Sequence, residues 1–279
     1  MVQTKPIFEL FVLYSALNYN GYDKENNPRG IHPMRKRVRD LLEKRGPEKF
    51  DFEYHPYHYA WQVLSSEHTN HDFVDVLKYL EYFQKLEGLD QLWTEVETAT
   101  EKELDLYRPK LFGLCEEVES LLDIPRAEMP ITFTVNLLES YYRGFSLNYP
   151  DKTILITGPS DCPNLKNFVH ELIHTYLYDK NLTVVNIEQK GYLNIPEELR
   201  KNYPPEKIVE ESLVRALTAY LSARSKILIN VGLEKQDRDL SFPVVFLRYL
   251  DEVRPEKVSI DFLVKSLSRF QYKKTPRFS

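Results

Sequence analysis

The chain has 279 residues, 42% of them hydrophobic and 28% charged, with a formal net charge of −5. This length can bury a substantial core, and the composition is that of an ordinary water-soluble globular protein. The acidic balance excludes the basic footprint of a duplex nucleic-acid binder, no apolar run is long enough to span a bilayer, and two cysteines exclude a disulfide framework.

In chain order, residues 1–125 read as a mostly helical region and 126–279 as the region that carries the chemistry, together forming one large domain or two. A buried helix is expected over 6–18. Glu9 interrupts the apolar stretch from Ile7 to Leu17 and Lys5 is the only preceding cation, which does not fit a secretory leader. Two cysteines, Cys115 and Cys162, suit a reducing compartment, so a cytoplasmic location is expected. Further helices are predicted over 33–45, 56–66, 71–87 and 90–122, with Pro125 closing the series. Within the second of these, Arg35, Lys36, Arg37 and Arg39 alternate with Val38, Leu41 and Leu42 and read as a solvated face. His55 with His58, and His68 with His71, are i, i+3 pairs among Tyr and Phe without a nearby Cys or acidic cluster. They read as surface or cap residues, not as a second metal site, and His71-Asp72 as a helix start.

Residues 131–157 change character. The stretches 131–135, 141–148 and 153–157 are rich in β-branched and aromatic residues, and 148–151 (NYPD) makes a turn, so a small antiparallel sheet is predicted. Next comes His170-Glu171-Leu172-Ile173-His174. Leu165, Phe168, Val169, Leu172, Ile173 and Tyr176 follow helical spacing, Ser160 or Asp161 can cap the start, and Asn181 is a plausible stop. On that helix His170 and His174 share one face a turn apart and can offer ring nitrogens to one ion, while Glu171 can take a proton from a metal-bound water. The helical wheel puts Glu171 on the side away from the apolar stripe.

Zinc requires a third protein ligand. No His or Cys follows except in that pentapeptide, so the ligand must be a carboxylate. The best source is the helical stretch 206–224, introduced by Pro204 and Pro205, which holds Glu210 and Glu211. Glu210 lies on the line of Leu213, Val214, Leu217 and Leu221; Glu211 lies on the line of Val214, Arg215, Thr218 and Ser222. A carboxylate on an apolar stripe favours Glu210, and smaller residues farther along favour Glu211, so both stay open on spacing alone. An irregular stretch over 181–205 and helices over 243–253 and 260–272 complete the chain.

These two segments resemble the zincin metallopeptidases, specifically the gluzincin type, in which a His-Glu-x-x-His helix is followed by a helix that supplies a glutamate. The run Glu210-Glu211-Ser212-Leu213-Val214 is similar to the ligand context of that group when Glu211 is the ligand. The metzincin branch does not fit, because Leu177 and Lys180 stand where it has Gly and the approach to a third His. Two departures mark a divergent family: the gap from His174 to Glu211 is longer than usual, and Arg215 stands where many members have an aspartate that orients a ligand His.

The resemblance implies an α+β, mainly helical zincin-like fold with a small antiparallel sheet before the active-site helix, whose edge strand can hold an extended peptide. It implies one zinc ion on His170, His174 and Glu211, Glu171 as general base, and a peptide or protein substrate; the charge balance and the lack of a long apolar run point to no nucleic acid and no membrane as partners. Tyr192, Tyr203, Arg215 and Tyr220 are candidates to stabilise an oxyanion, with His55, His58, His68 and His71 available only if the first half folds over the cleft. Two other expectations compete. A zincin-fold interaction or metal-stabilised protein would keep the ligands without turnover, and an accidental motif would leave Glu210 and Glu211 far from both histidines.

Overall fold

A computed structural model describes residues 2–22, 30–46, 48–65, 71–124, 129–179, 205–228, 241–259 and 262–263. Its helices are α1 (Phe8–Tyr19), α2 (Pro33–Arg45), α3 (Pro56–Leu64), α4 (Val74–Phe83), α5 (Leu89–Leu122), α6 (Leu165–Asp179), α7 (Pro205–Ser222) and α8 (Ser241–Val253). The strands are β1 (Val2–Thr4), β2 (Ile131–Val135), β3 (Gly144–Asn148) and β4 (Thr153–Thr157). The mainly helical α+β expectation therefore stands. None of the described helices is long and apolar enough to cross a membrane.

The chain divides into two compact units, and both are discontinuous. One comprises 1–111 with 128–168, the other 112–127 with 169–279. The division falls inside α5 and α6, and the sheet belongs with the N-terminal helices, whereas the expected boundary near 125 lies outside the described residues.

In the first unit α1 is central. It is apolar nearly all round, with every residue from Leu10 to Asn18 buried, and α2, α3 and α4 pack against it. Helices α2 and α3 begin in the same way, each with Pro at the first helical position after a capping histidine. His32 Nδ1 accepts from Met34 N, and His55 Nδ1 accepts from Tyr57 N, both at 3.2 Å. The cap reading of His55 thus holds, and His71 opens a short 3-10 turn, His71–Phe73. The solvated-face reading of the basic run fails at Arg35, which is fully buried. Its guanidinium donates to Asn18 Oδ1 and to Tyr22 O, so it serves as an internal polar tie.

The sheet has the order β1-β2-β4-β3 and is mixed, which corrects the antiparallel expectation. β2 pairs parallel with both β1 and β4, with Ile131 opposite Val2 and Thr153; only β3 and β4 form an antiparallel pair. The reason lies in 136–143, which carries the chain from β2 past β4 to the far edge instead of turning back beside β2. Strand β3 consequently starts at Gly144 and not at 141, and Tyr142 takes a positive φ of 61° in that connection.

The connection is anchored by Glu139, only 2% exposed, which accepts from Tyr14 Oη at 2.7 Å, Tyr22 Oη at 3.1 Å and Ser140 N at 2.7 Å. Burial, then the adjacent Glu139 charge, holds the Tyr14 hydroxyl well above its ordinary pKa, so it stays a donor. Asn18 Nδ2 adds a bond to Leu138 O at 3.0 Å. Where α6 begins its course past β3 the strand must be bare: a Cβ at Gly144 would lie 1.8 Å from Asn167 Nδ2.

Replacing Tyr14 by Phe withdraws one donor from a buried carboxylate and should lower the unfolding free energy by about 1–3 kcal/mol. Urea denaturation of Tyr14→Phe beside the wild type measures it, and an unchanged midpoint would contradict the anchoring role.

Candidate metal centre

Helix α6 starts at a side-chain cap. Asn164 Oδ1 accepts from Asn167 N at 3.1 Å, and Asn164 N donates to Tyr107 Oη at 2.8 Å. Asn164 is therefore the cap, in place of the expected Ser160 or Asp161. Those two are engaged elsewhere, Ser160 Oγ donating to Cys162 O at 2.6 Å and Asp161 accepting from Tyr142 Oη at 2.8 Å. Farther along, Tyr176 Oη donates to Glu119 Oε1 at 2.7 Å, which ties α6 to α5 within the second unit.

The i, i+4 spacing on α6 places the His170 and His174 rings 4.8 Å apart between centroids, with their Nε2 atoms 3.2 Å apart. Helix α7 brings Glu211 to the same point. Glu211 Oε2 lies 3.2 Å from His174 Nε2, and Oε1 lies 3.4 Å from His170 Nε2. The three residues offer donor atoms that all lie within 4.8 Å of one another. Residues 210 and 211 are thus not remote from the histidines, as an accidental motif would have left them.

Glu210 sits on the other side of the same imidazole, its Oε1 2.8 Å from His174 Nδ1. Arg215, one turn on from Glu211, donates Nε to Glu211 Oε1 at 2.7 Å. The two adjacent glutamates that spacing could not rank therefore occupy different places: Glu211 faces both histidines, and Glu210 backs one of them.

The donor set suits a small divalent ion. A tetrahedron with bonds of about 2.0–2.1 Å has edges of about 3.3 Å. Two contacts, His170 Nε2 to His174 Nε2 and His174 Nε2 to Glu211 Oε2, are 3.2 Å and close to such an edge, and the other Glu211 oxygen lies 3.4 Å from His170 Nε2. Two imidazoles and a carboxylate are also the ligand types that zinc takes in hydrolytic sites.

The electrostatics are those of a cluster with a surplus of carboxylates. Burial disfavours a charged His174, but hydrogen bonds to Glu210 and Glu211 and the nearby Glu171 charge outweigh it, and the pKa is pushed up to about 10. Burial likewise raises Glu211, yet its hydrogen bonds to His170 and His174 hold it well below the usual carboxylate range. Glu171 is only 8% exposed. The helical wheel put it on a polar side; in fact α6 is buried on nearly all sides, including Leu165, Phe168, Val169, Leu172, Ile173, Thr175, Tyr176 and Leu177.

Among the oxyanion candidates, Tyr220 is buried and donates its hydroxyl to Pro255 O at 2.9 Å, and Arg215 donates to Glu211. Tyr192, Tyr203 and His68 lie outside the described residues, and the others, His55, His58 and His71, belong to the first unit. Glu210 as a histidine partner was not anticipated, although its signal was present, since consecutive residues on a helix can bracket one side chain from the facing helix. The geometry defines a two-histidine, one-carboxylate centre with an adjoining buried glutamate. Comparison of the chain with protein-family profiles, with curated proteins and with solved structures finds no match.

Asn164→Ala should cost about 0.5–2 kcal/mol by leaving the first amides of α6 uncapped, whereas Asn164→Ser should stay close to wild type. Thermal and urea melts of both variants test this, and equal loss in the two would count against a capping role.

Proposed function

We propose that the chain is a zinc-dependent metallopeptidase of the gluzincin type, holding one ion on His170, His174 and Glu211. The observation that carries this reading is the convergence within 4.8 Å of donor atoms from His170, His174 and Glu211, with a buried glutamate, Glu171, next to His170 on its helix. The chain order of small sheet, His-Glu-x-x-His helix and glutamate helix supports a zincin-like fold, and two free thiols, Cys115 and Cys162, are in keeping with a cytoplasmic setting.

A zinc ion at this centre would bring the pKa of its water to about 7 and polarise a substrate carbonyl. The remaining work falls to the chain. Glu171 takes the proton released as water adds to the peptide carbonyl, and returns it to the amine as the carbon–nitrogen bond breaks. Its low exposure keeps the carboxylate from solvent, and its charge acts on His174. His170, His174 and Glu211 supply ligation only, so Glu171 has no structural duty at the metal and is the residue that distinguishes a hydrolase from a metal-stabilised binding protein.

Purified wild type should carry about one zinc per chain by atomic absorption, and His170→Ala should lose it. Glu171→Gln should retain the zinc while hydrolysis of a mixed peptide digest, followed by mass spectrometry, falls by about a hundredfold or more. Undiminished hydrolysis by Glu171→Gln would overturn the mechanism. Zinc binding by wild type with no cleavage in a broad peptide mixture would point to a zincin-fold interaction protein.

A further inference from the structure

The hydrogen bonds behind the three ligands permit a finer assignment, one that rests on the metal reading above. A metal at His174 Nε2 needs a lone pair there, so the ring proton must sit on Nδ1. Nδ1 faces Glu210 Oε1 at 2.8 Å, and an ionised carboxylate can only accept. Of the two neutral tautomers, only the one that leaves Nε2 free makes that contact a hydrogen bond. On the other ligand, Arg215 Nε donates to Glu211 Oε1 at 2.7 Å; Oε1 lies 3.4 Å from His170 Nε2, and Oε2 lies closer to the histidine pair, 3.2 Å from His174 Nε2. A guanidinium N–H on Oε1 takes up one of that oxygen's lone pairs and makes Oε2 the stronger donor to a metal.

We propose that Glu210 and Arg215 are positioning residues for the metal: Glu210 keeps the proton of His174 on Nδ1, and Arg215 occupies one oxygen of Glu211 so that the carboxylate ligates through Oε2 alone. The pattern has a simple origin in the helix. Residues 210 and 211 leave α7 in directions one residue apart and take the two sides of one imidazole, while 215 lies one turn beyond 211 and meets its carboxylate. A single-oxygen Glu211 leaves the ion with three protein bonds and an open position, the arrangement a hydrolytic zinc requires and a structural one lacks. Arg215 thus does not stand in for an aspartate that orients histidine; Glu210 does that from the preceding position.

The test is cobalt(II) titration of the metal-free full chain, followed by visible absorption, with folding checked by circular dichroism. Wild type should bind one equivalent and give the intense bands of low coordination number. Glu210→Ala should bind cobalt about 10- to 100-fold more weakly, and Glu210→Gln, whose amide oxygen still accepts from Nδ1, should recover most of that loss. Arg215→Ala should still bind one equivalent but with weaker bands, as the freed oxygen of Glu211 joins the ion.

Wild-type affinity in Glu210→Ala, no recovery in Glu210→Gln, or an unchanged spectrum in Arg215→Ala would overturn the assignment and leave the metal reading intact. Failure of wild type to take up either cobalt or zinc would overturn the metal reading itself. Should the alanine variants not fold, nitrogen-15 NMR of zinc-loaded wild type reads the tautomer directly: a proton on His174 Nδ1 is expected, and one on Nε2 overturns the role of Glu210.

Discussion

His174 is held at both ring nitrogens by carboxylates from consecutive residues of one helix, Glu210 at Nδ1 and Glu211 at Nε2. Successive side chains on a helix diverge by about 100°, so only a narrow range of rotations of α7 about its axis lets both reach a single imidazole. The same rotation turns Ser212, Leu213, Val214, Ala216 and Leu217 into the interior and carries Arg215 to the outer side of Glu211. The buried stripe of α7 and its chemistry are thus one constraint expressed twice, and the bracketed histidine fixes where the donor atoms can meet. Among the described residues around the histidines, the carboxylates of Glu171, Glu210 and Glu211 outnumber the guanidinium of Arg215, which pairs with Glu211. That excess of negative charge suits a divalent cation, and it raises the affinity of His174 for a proton.

Two buried glutamates among the described residues, Glu139 and Glu171, show how differently a fold can treat the same group. Glu139 is surrounded by donors that satisfy it from within its own unit: two tyrosine hydroxyls and the next backbone amide. A carboxylate met in this way is a structural tie, and its position on the loop that crosses the sheet explains why that loop needs one. Glu171 is nearly as inaccessible but stands between two histidines in sequence, and its charge is felt by one of them.

The sequence made the helices legible because their periodicity is strong and their ends are marked. The expected 33–45 matches α2, where His32 and Pro33 define the start, and 90–122 differs by one residue from α5, which continues through Pro109. The ligand pentapeptide was legible for the same reason, since its spacing is a helical property. Less legible was anything decided by partners remote in sequence. Arg35 reads as one more cation on a basic face until Asn18 and the Tyr22 carbonyl enclose it. The parallel pairing of β2 with β4 depends on a crossover that local strand propensity does not encode. The choice between Glu210 and Glu211 could not be made from stripes, because both lie toward the histidines and the distinction is which nitrogen each meets.

The long separation between His174 and Glu211 is a departure from the resembled group that carries less weight than its size suggests. Loop-closure entropy grows only with the logarithm of length, so doubling the connection between two helices costs about 0.6 kcal/mol. A single charge-assisted hydrogen bond of the kind that joins Glu210 to His174 offsets that. What the chemistry cannot tolerate is a change in the short spacings. Moving His174 by one position would swing it about 100° around α6, and separating Glu210 from Glu211 would leave His174 with a carboxylate on one side only. The tight spacings at 170–174 and 210–215 therefore fix where the donor atoms meet, and the length of chain between them matters little to that geometry.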